Sequence, residues 1–200
     1  KSGISKDVFE RSIAYGTAVG LAVIEHTKTD NYKETRTFPK FTVDENDPKR
    51  WQPTPPDYKD AAEPHWSKIR PFVLDSAGQF LPPPPPPFDT SKGSAFRKMV
   101  EEVYSSLEVN NRAEREEIAY FWDDNPFVSH HAGHVMFADK KVTPGGHWMN
   151  IAMLASRMEK ADFVKSSETY LYTAVGLLEG FISCWHAKYF YNLVRPETYI

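Results

Sequence analysis

The sequence contains one cysteine, Cys184, among its 200 residues. No internal disulfide can form, and a metal site built from several cysteines is excluded. The neighbours Ser183 and Trp185 predict that the thiol is packed. Because the absence of a disulfide suits both cytoplasm and periplasm, the sequence leaves the localisation unknown, and a periplasmic or secreted protein is only our guess.

A strong charge of either sign is also missing, since the formal net charge is −3 at pH 7 and the pI is about 6.2. Proteins that bind nucleic acid or anionic membranes usually carry a broad basic surface. We therefore expect no nucleic-acid partner. If the protein binds an anion, a few local cations must hold it.

Long apolar runs are absent as well. The most apolar window, residues 170–185, is interrupted by Glu179 and is shorter than the roughly 20 residues needed to cross a bilayer. We predict a buried helix there and no membrane span. The hydrophobic content of 40% is enough for the core of one domain or of part of a larger one.

The first 92 residues comprise a predicted helix followed by a Pro-rich segment. Apolar residues at helical spacing predict a helix from Asp7 to about Glu25. Residues 28–92 hold 13 of the 16 prolines, six of them consecutive from Pro82 to Pro87. Proline cannot continue a helix, so we predict an extended, Pro-rich wrapping arm, anchored near the run by Phe80, Leu81 and Phe88. The alternative is that the proline run is a docking ligand for another domain.

Residues 93–200 show helical periodicity and no strand pattern. The fold class predicted is therefore all-α, a helical bundle with a long Pro-rich irregular arm. The last helix is expected to be capped by Ser166 or Ser167 and broken by Pro196. The predicted helices are Ser94–Leu107, Ala113–Trp122, from near His147 to about Ala161, and a final one that reaches Val194.

Histidines cluster before the third of these helices, at His130, His131, His134 and His147. Such a cluster can bind a transition metal, but no cysteine accompanies it and the nearby aspartates lie beyond Pro126. We predict no metal site and assign these histidines to loop hydrogen bonds or to the mouth of a pocket.

The segment Thr143–Trp148 contains two glycines before a predicted helix, as phosphate-binding loops do. It lacks the lysine followed by Ser or Thr that a nucleotide-binding loop requires. We predict a turn that sets the angle of the next helix.

Lys188 and Arg195 are seven positions apart near the end of the chain. If this stretch is helical, both side chains leave one face about 10 Å apart along the axis. Two cations beside Trp185, Phe190 and Leu193 would repel each other and lose hydration unless an anion lies between them. A phosphate-shaped oxyanion fits this arrangement. The alternative is a solvated helix face or ordinary carboxylate partners.

The spacing from Lys188 to Arg195-Pro196, with Trp185, Tyr189 and Glu197–Ile200 around it, resembles the first signature of the phosphatidic acid phosphatase type 2 (PAP2) and vanadium haloperoxidase superfamily. The flanking residues are similar to the haloperoxidase-like branch. Further similarity from about residue 50 onwards is carried by Trp51, Pro53–Pro56, Gln79-Phe80, Arg112 with Glu116–Ala119 and Phe121-Trp122, and Thr143–Trp148.

This resemblance implies a helical fold in which basic residues between helices hold an oxyanion. Phosphatases of the superfamily pass a phosphoryl group to a histidine, and haloperoxidases hold vanadate and oxidise halide with hydrogen peroxide. Lys188 would polarise an oxygen and Arg195 would hold equatorial oxygens. We favour the haloperoxidase, with vanadate as cofactor. The alternatives are a soluble acid phosphatase acting on phosphate monoesters, with phosphate as the substrate anion, and a non-catalytic helical binding module.

The second superfamily signature, Ser-Gly-His, and the third, an arginine followed by a histidine, do not occur after Lys188. We therefore expect residues 93–200 to form the first part of the core, truncated after the first signature, and the chain to be an N-terminal portion that is inactive alone. The missing C-terminal half would lie in the same or a second polypeptide. A second copy of the chain, in a homo-oligomer, is another partner that the sequence allows.

Overall fold

The structure, a computed structural model, describes residues 3–55, 57–106 and 110–200, except for the side chains of His131 and Met136. It is mostly helical, as predicted. A short 3₁₀ turn at Trp66–Lys68 interrupts the irregular arm. In chain order the other elements are α1 (Lys6–Thr27), α2 (Tyr32–Thr35), α3 (Ala95–Ser105), α4 (Arg112–Trp122), β1 (Phe127–Ala132), β2 (Val135–Lys140), α5 (Pro144–Met158), α6 (Phe163–Tyr191) and α7 (Pro196–Tyr199).

Capping side chains set where the longer helices begin. Ser94 Oγ accepts a hydrogen bond from the Arg97 amide at 3.0 Å, so α3 begins as predicted; its predicted end, Leu107, lies outside the described residues. The Asp162 carboxylate accepts from the Lys165 amide at 2.8 Å. Helix α6 therefore starts before Ser166 and Ser167, and the predicted cap was wrong because Asp is as good a cap as Ser.

The predicted turn at residues 143–148 is instead the first turn of α5. Thr143 caps this helix by accepting from the Gly146 amide at 3.2 Å, and Pro144 occupies the first helical position. Proline suits that position because its missing N–H would have no partner there. The helix therefore begins three residues before His147, the predicted start.

Helix α6 ends at Tyr191, not at Val194 as predicted. Asn192 adopts the left-handed conformation, with φ of 46°, and its amide donates to the Lys188 carbonyl at 3.0 Å. Asparagine tolerates this conformation better than most residues and ends helices in this way. The chain then continues in extended form to Arg195, and Pro196 opens α7.

The histidine cluster lies on a β-hairpin, so the prediction of no strand was wrong for this segment. Strands β1 and β2 pair antiparallel, from Phe127 opposite Lys140 to Ala132 opposite Val135. The two-residue turn places Gly133 at φ of 61°, which glycine adopts without steric cost. Glycine at the first position of a two-residue turn is a common hairpin signal.

The core is small and lies where the arm, α3 and α7 meet. Helix α5 packs on α6, and α3 packs on α7. Phe96, Val100 and Val194 are buried together, and Phe88, Met99 and Tyr199 pack against them. Phe88 is thus an anchor of the proline run, whereas the predicted anchor Phe80 is 69% exposed. The thiol of Cys184 is exposed too, contrary to prediction.

Three sets of hydrogen bonds attach the arm to α6. Buried Glu179 accepts from the backbone amides of residues 72, 73 and 74 at 2.7, 3.3 and 2.8 Å. Trp185 Nε1 and the Tyr189 hydroxyl both donate to the Ala62 carbonyl, at 2.9 and 2.5 Å. The Tyr191 hydroxyl donates to the Pro82 carbonyl at 2.5 Å. The arm therefore follows α6 along its C-terminal half.

The chain leaves wide apolar faces exposed. Its accessible surface is 15283 Å², whereas a folded monomer of this mass exposes about 9,600 Å². Among the described residues, α1 contains no buried side chain, and on α6 Phe163 is 85% exposed. Apolar surface of this extent is typical of a portion of a larger assembly. Within the described ranges, no helix combines the length and apolarity needed to span a bilayer.

Glu179→Ala should lower the free energy of unfolding by about 2–4 kcal/mol, because three arm amides would lose a charged acceptor. Urea unfolding monitored by circular dichroism measures this change. Glu168→Ala is the matched control, since Glu168 lies on the same helix, is exposed and pairs with Lys165 nearby. A loss for Glu179→Ala no larger than for the control would show that the arm is not held by this carboxylate.

Candidate functional site

Lys188 lies in the last turn of α6 beside two aromatic rings that the arm holds in place. Its ammonium is 5.0 Å from the centre of the Trp185 ring and 5.7 Å from that of Tyr189. Both rings are fixed by their hydrogen bonds to the Ala62 carbonyl. Burial, and less strongly the charge of Glu63, raises the pKa of Tyr189 to about 12, so this hydroxyl stays protonated and continues to donate.

Arg195 lies outside α6, on the extended segment that follows Asn192, so the two cations do not share one helix face as the spacing predicted. This segment pairs with the arm. The Trp51 amide donates to the Asn192 carbonyl at 3.2 Å, and the Val194 amide donates to the Lys49 carbonyl at 2.9 Å. Backbone pairing with the arm, rather than helical periodicity, therefore sets the position of Arg195.

The guanidinium of Arg195 has three neighbours. Nη2 donates to the Thr54 hydroxyl, Nη1 lies 2.9 Å from Glu197 Oε1, and the central carbon is 5.8 Å from the centre of the Trp51 ring. Glu197 is exposed and belongs to α7. Since ion pairs in contact with solvent are weak, this contact leaves the guanidinium able to exchange its partner for a bound anion.

Lys188 and Arg195 line the same cavity, of about 380 Å³, between the arm and the end of α6. The structure therefore brings together both residues that the sequence singled out, although by a route that the sequence analysis did not anticipate. The residues that line this cavity are Trp51, Thr54, Pro55, Asp57, Lys59, Asp60, Ala62, Asn125, Lys188, Arg195 and Glu197.

The electrostatics of this cavity disfavour a positive charge on Lys188. Burial, followed by repulsion from Arg195, lowers the pKa of the Lys188 ammonium. Lys188 as a residue is exposed to solvent, but the aromatic rings crowd its charged end. Within the described ranges, no carboxylate forms an ion pair with Lys188. A bound anion would screen Lys188 from the charge of Arg195 and would give the Lys188 ammonium a negatively charged partner.

The donor set fits a tetrahedral or trigonal-bipyramidal oxyanion. Lys188 offers a compact charge and Arg195 a planar fork of N–H donors. The Thr54 hydroxyl and the Asn125 amide, which also line the cavity, add neutral hydrogen-bonding groups. None of the described lining residues is a histidine, so this part of the chain offers charge and hydrogen bonds to an oxyanion but no nitrogen ligand.

The other candidate groups lie elsewhere and are separately engaged. His130 is 3.0 Å from Asp139 on the hairpin, and His147 is 2.8 Å from Asp124. Among the described residues, no three metal-ligating side chains converge; the His131 side chain lies outside them. His186 packs against Gly78, where an added Cβ would lie 3.1 Å from its Nε2, and does not line the cavity.

Sequence reasoning missed the roles of Thr54, Lys59 and Asn125 in lining the cavity. Thr54 belongs to a Pro-Thr-Pro segment that resembled the family, but its contact with Arg195 spans 141 positions of sequence. Spacing cannot predict such a contact. Asn125 was interpreted only as part of the stop signal of α4.

The comparison with solved structures is informative about the family of this chain. A solved structure described as the first bacterial vanadium-dependent iodoperoxidase is 49% identical to this chain, with a TM-score of 0.79. The alignment covers 95% of this chain and 44% of that one. The chain therefore spans less than half the length of that structure. No family model and no curated protein gave a significant match.

Lys188→Met should raise the melting temperature at pH 7. The pKa of Lys188 is lower in the folded chain than in the unfolded chain, so the unfolded chain binds this proton more tightly. At neutral pH, where Lys188 is protonated in both states, its charge therefore lowers the free energy of unfolding by the full amount. The same linkage predicts that the cost disappears as pH rises through the lowered pKa towards 10.5. Differential scanning calorimetry measures the change.

Lys165→Met is the matched control on the same helix, because Lys165 is exposed and 3.1 Å from Glu168. It should leave the melting temperature unchanged or slightly lower. A fall for Lys188→Met at pH 7 would mean that contact with the Trp185 ring outweighs the desolvation and repulsion, contrary to the expected sign.

Proposed function

Because the chain belongs to the vanadium haloperoxidase-like family, we propose that Lys188 and Arg195 are the first cations of a vanadate site in an enzyme that oxidises halide with hydrogen peroxide. The similar structure is described as an iodoperoxidase, which makes iodide the first halide to test. The chain spans only part of the length of that structure, so this activity is proposed for the complete protein.

The observation that carries the proposal is the pairing of two like charges on one cavity. Burial and the charge of Arg195 lower the pKa of Lys188, so the arrangement costs stability without an anion. Proteins retain such costs mainly where function requires them. An oxyanion between the two cations would offset their mutual repulsion.

In this proposal each residue has a defined task. Bound vanadate supplies the centre at which peroxide becomes able to oxidise halide. Lys188 stays protonated and compensates negative charge on one oxygen, and Arg195 orients others through two N–H donors. Trp185 and Tyr189 exclude water from one side of the Lys188 ammonium. The arm covers the cavity through residues 51–55 and 57–62.

We propose that the remaining part of such a site comes from residues that do not line the described cavity. No Ser-Gly-His occurs in the sequence after Lys188, and the described cavity lining contains no histidine. We propose that the C-terminal half of the protein, in the same or another polypeptide, supplies the histidine. The exposed apolar faces of α1 and α6 support a further packing partner of this kind. The chain alone is expected to be inactive.

An acid phosphatase would use the same two cations to hold a phosphate monoester. Two assays on protein of full natural length distinguish these activities. The first measures oxidation of iodide and of bromide by peroxide across a range of vanadate concentrations. Hydrolysis of a phosphate monoester, with and without vanadate, is measured in parallel. Halide oxidation that requires vanadate supports the proposal; ester hydrolysis blocked by vanadate, without halide oxidation, favours the phosphatase. Absence of both activities would leave the non-catalytic binding module.

Arg195→Ala should weaken binding of orthovanadate by about 1.5–3 kcal/mol, the usual range for a lost charge-assisted hydrogen bond. Isothermal titration calorimetry on protein of full natural length measures the affinity. Arg112→Ala is the control, because Arg112 is an exposed residue of α4 paired with Glu116 at 2.7 Å. An affinity unchanged by Arg195→Ala would refute the assigned role.

Oxyanion affinity should fall as pH rises through the lowered pKa of Lys188, because binding then requires uptake of a proton. The fall should begin below the ordinary lysine value of 10.5, since burial and Arg195 lower this pKa. Lys188→Arg should remove this dependence, because arginine stays charged throughout this range. Protonation of the oxyanion itself affects both proteins equally, so the difference between the wild-type and Lys188→Arg profiles reports on Lys188. Identical pH profiles would show that Lys188 does not contact the anion.

A further inference from the structure

The arm and the segment after α6 meet around the guanidinium of Arg195. Two backbone hydrogen bonds join them, between Trp51 and Asn192 and between Lys49 and Val194. The backbone is thereby fixed on both sides of Arg195, since the Arg195 carbonyl also accepts from the Thr198 and Tyr199 amides at 3.0 and 3.2 Å. A long side chain on a fixed backbone still needs contacts at its end to hold one position.

Those contacts come mainly from the arm. Thr54 Oγ1 accepts from Arg195 Nη2, and the same oxygen is 2.5 Å from Thr198 Oγ1 on α7. A hydroxyl has two acceptor positions and one donor, so Thr54 can serve both neighbours at once. Thr54 and Thr198 are both half-buried, which protects this pair of contacts from competing water.

A neutral acceptor has a particular consequence at this position. An aspartate in place of Thr54 would hold the guanidinium but would also neutralise it and compete with a bound anion. The threonine hydroxyl fixes the direction of one N–H without adding a second carboxylate to the exposed Glu197 that already pairs with this guanidinium. The Trp51 ring, 5.8 Å away, adds a flat surface against which the guanidinium can rest without losing charge.

We propose that Thr54 is a positioning residue for Arg195, and that the Pro-rich arm thereby helps to set the oxyanion affinity of the site. This inference rests on the proposed function, since it assigns the anion to Lys188 and Arg195. Thr54 acts through the guanidinium, so its effect on the anion must depend on the presence of Arg195.

The test combines a conservative pair of variants with a double-mutant cycle on protein of full natural length. Thr54→Val removes the hydroxyl and keeps the shape, Thr54→Ser keeps the hydroxyl, and Thr42→Val is an exposed arm control. Orthovanadate and inorganic phosphate are the probes, titrated by calorimetry. Thr54→Val should weaken binding about 10-fold, and Thr54→Ser should restore most of the affinity.

In an Arg195→Ala background, Thr54→Val should change the affinity by less than about 2-fold, because the residue through which it acts is gone. An equal loss in both backgrounds would show that Thr54 acts independently of Arg195 and would overturn the proposal. Wild-type affinity in Thr54→Val would overturn it as well.

A second readout needs no anion, and therefore separates this inference from the proposed function. The ¹⁵N relaxation order parameter of the Arg195 Nε–H group reports how firmly the guanidinium is held. It should fall clearly in Thr54→Val and remain near the wild-type value in Thr54→Ser and Thr42→Val. An unchanged order parameter in Thr54→Val refutes the positioning role, whereas absence of oxyanion binding by the wild-type protein refutes only the proposed function.

Discussion

The site depends on the point at which α6 ends. Asn192 turns out of the helix, and the released segment pairs with residues 49–51 of the arm instead of continuing along the helix axis. This exchange of helical hydrogen bonds for arm hydrogen bonds brings Arg195 to the cavity that Lys188 lines. If the helix continued to Val194, Arg195 would be fixed by helical geometry and the arm would have no part in orienting it.

The arm can have this role because α6 holds it at several positions. A buried carboxylate, Glu179, binds three consecutive arm amides, and two aromatic side chains further along the helix bind the Ala62 carbonyl. These contacts give a Pro-rich segment with little regular structure a definite path. The same aromatic residues crowd Lys188, so the contacts that anchor the arm also disfavour the ammonium charge. Anchoring of the arm and the proposed anion binding are thus parts of one arrangement.

Local sequence rules predicted much of the helical content and the two cations, but they could not predict the contacts that orient them. The periodicity of residues 94–106 and the proline run indicated α3 and the arm correctly. The end of α6 was misjudged because Pro196 was taken as the stop, whereas Asn192 acts four residues earlier through a backbone conformation. The hairpin was not predicted because its histidines were assigned to a loop. The Gly133 turn was the available signal.

The surface of the chain explains why its function must be considered with the rest of the protein. The total accessible surface far exceeds that of a folded monomer of this mass, and the solved structure that the chain resembles is more than twice as long as the matched region. In the cation pair, Lys188 forms no ion pair within the described part of the chain, and Arg195 pairs with the exposed Glu197. Both features support the proposal that the described residues form one side of a larger site.

The most direct test of this account is a crystal structure of the protein, at full natural length, soaked with tungstate as an anomalously scattering analogue of vanadate. The account predicts one anion between Lys188 Nζ and the Arg195 guanidinium, within hydrogen-bonding distance of both. An anion bound elsewhere, with Lys188 and Arg195 turned apart into solvent, would contradict it.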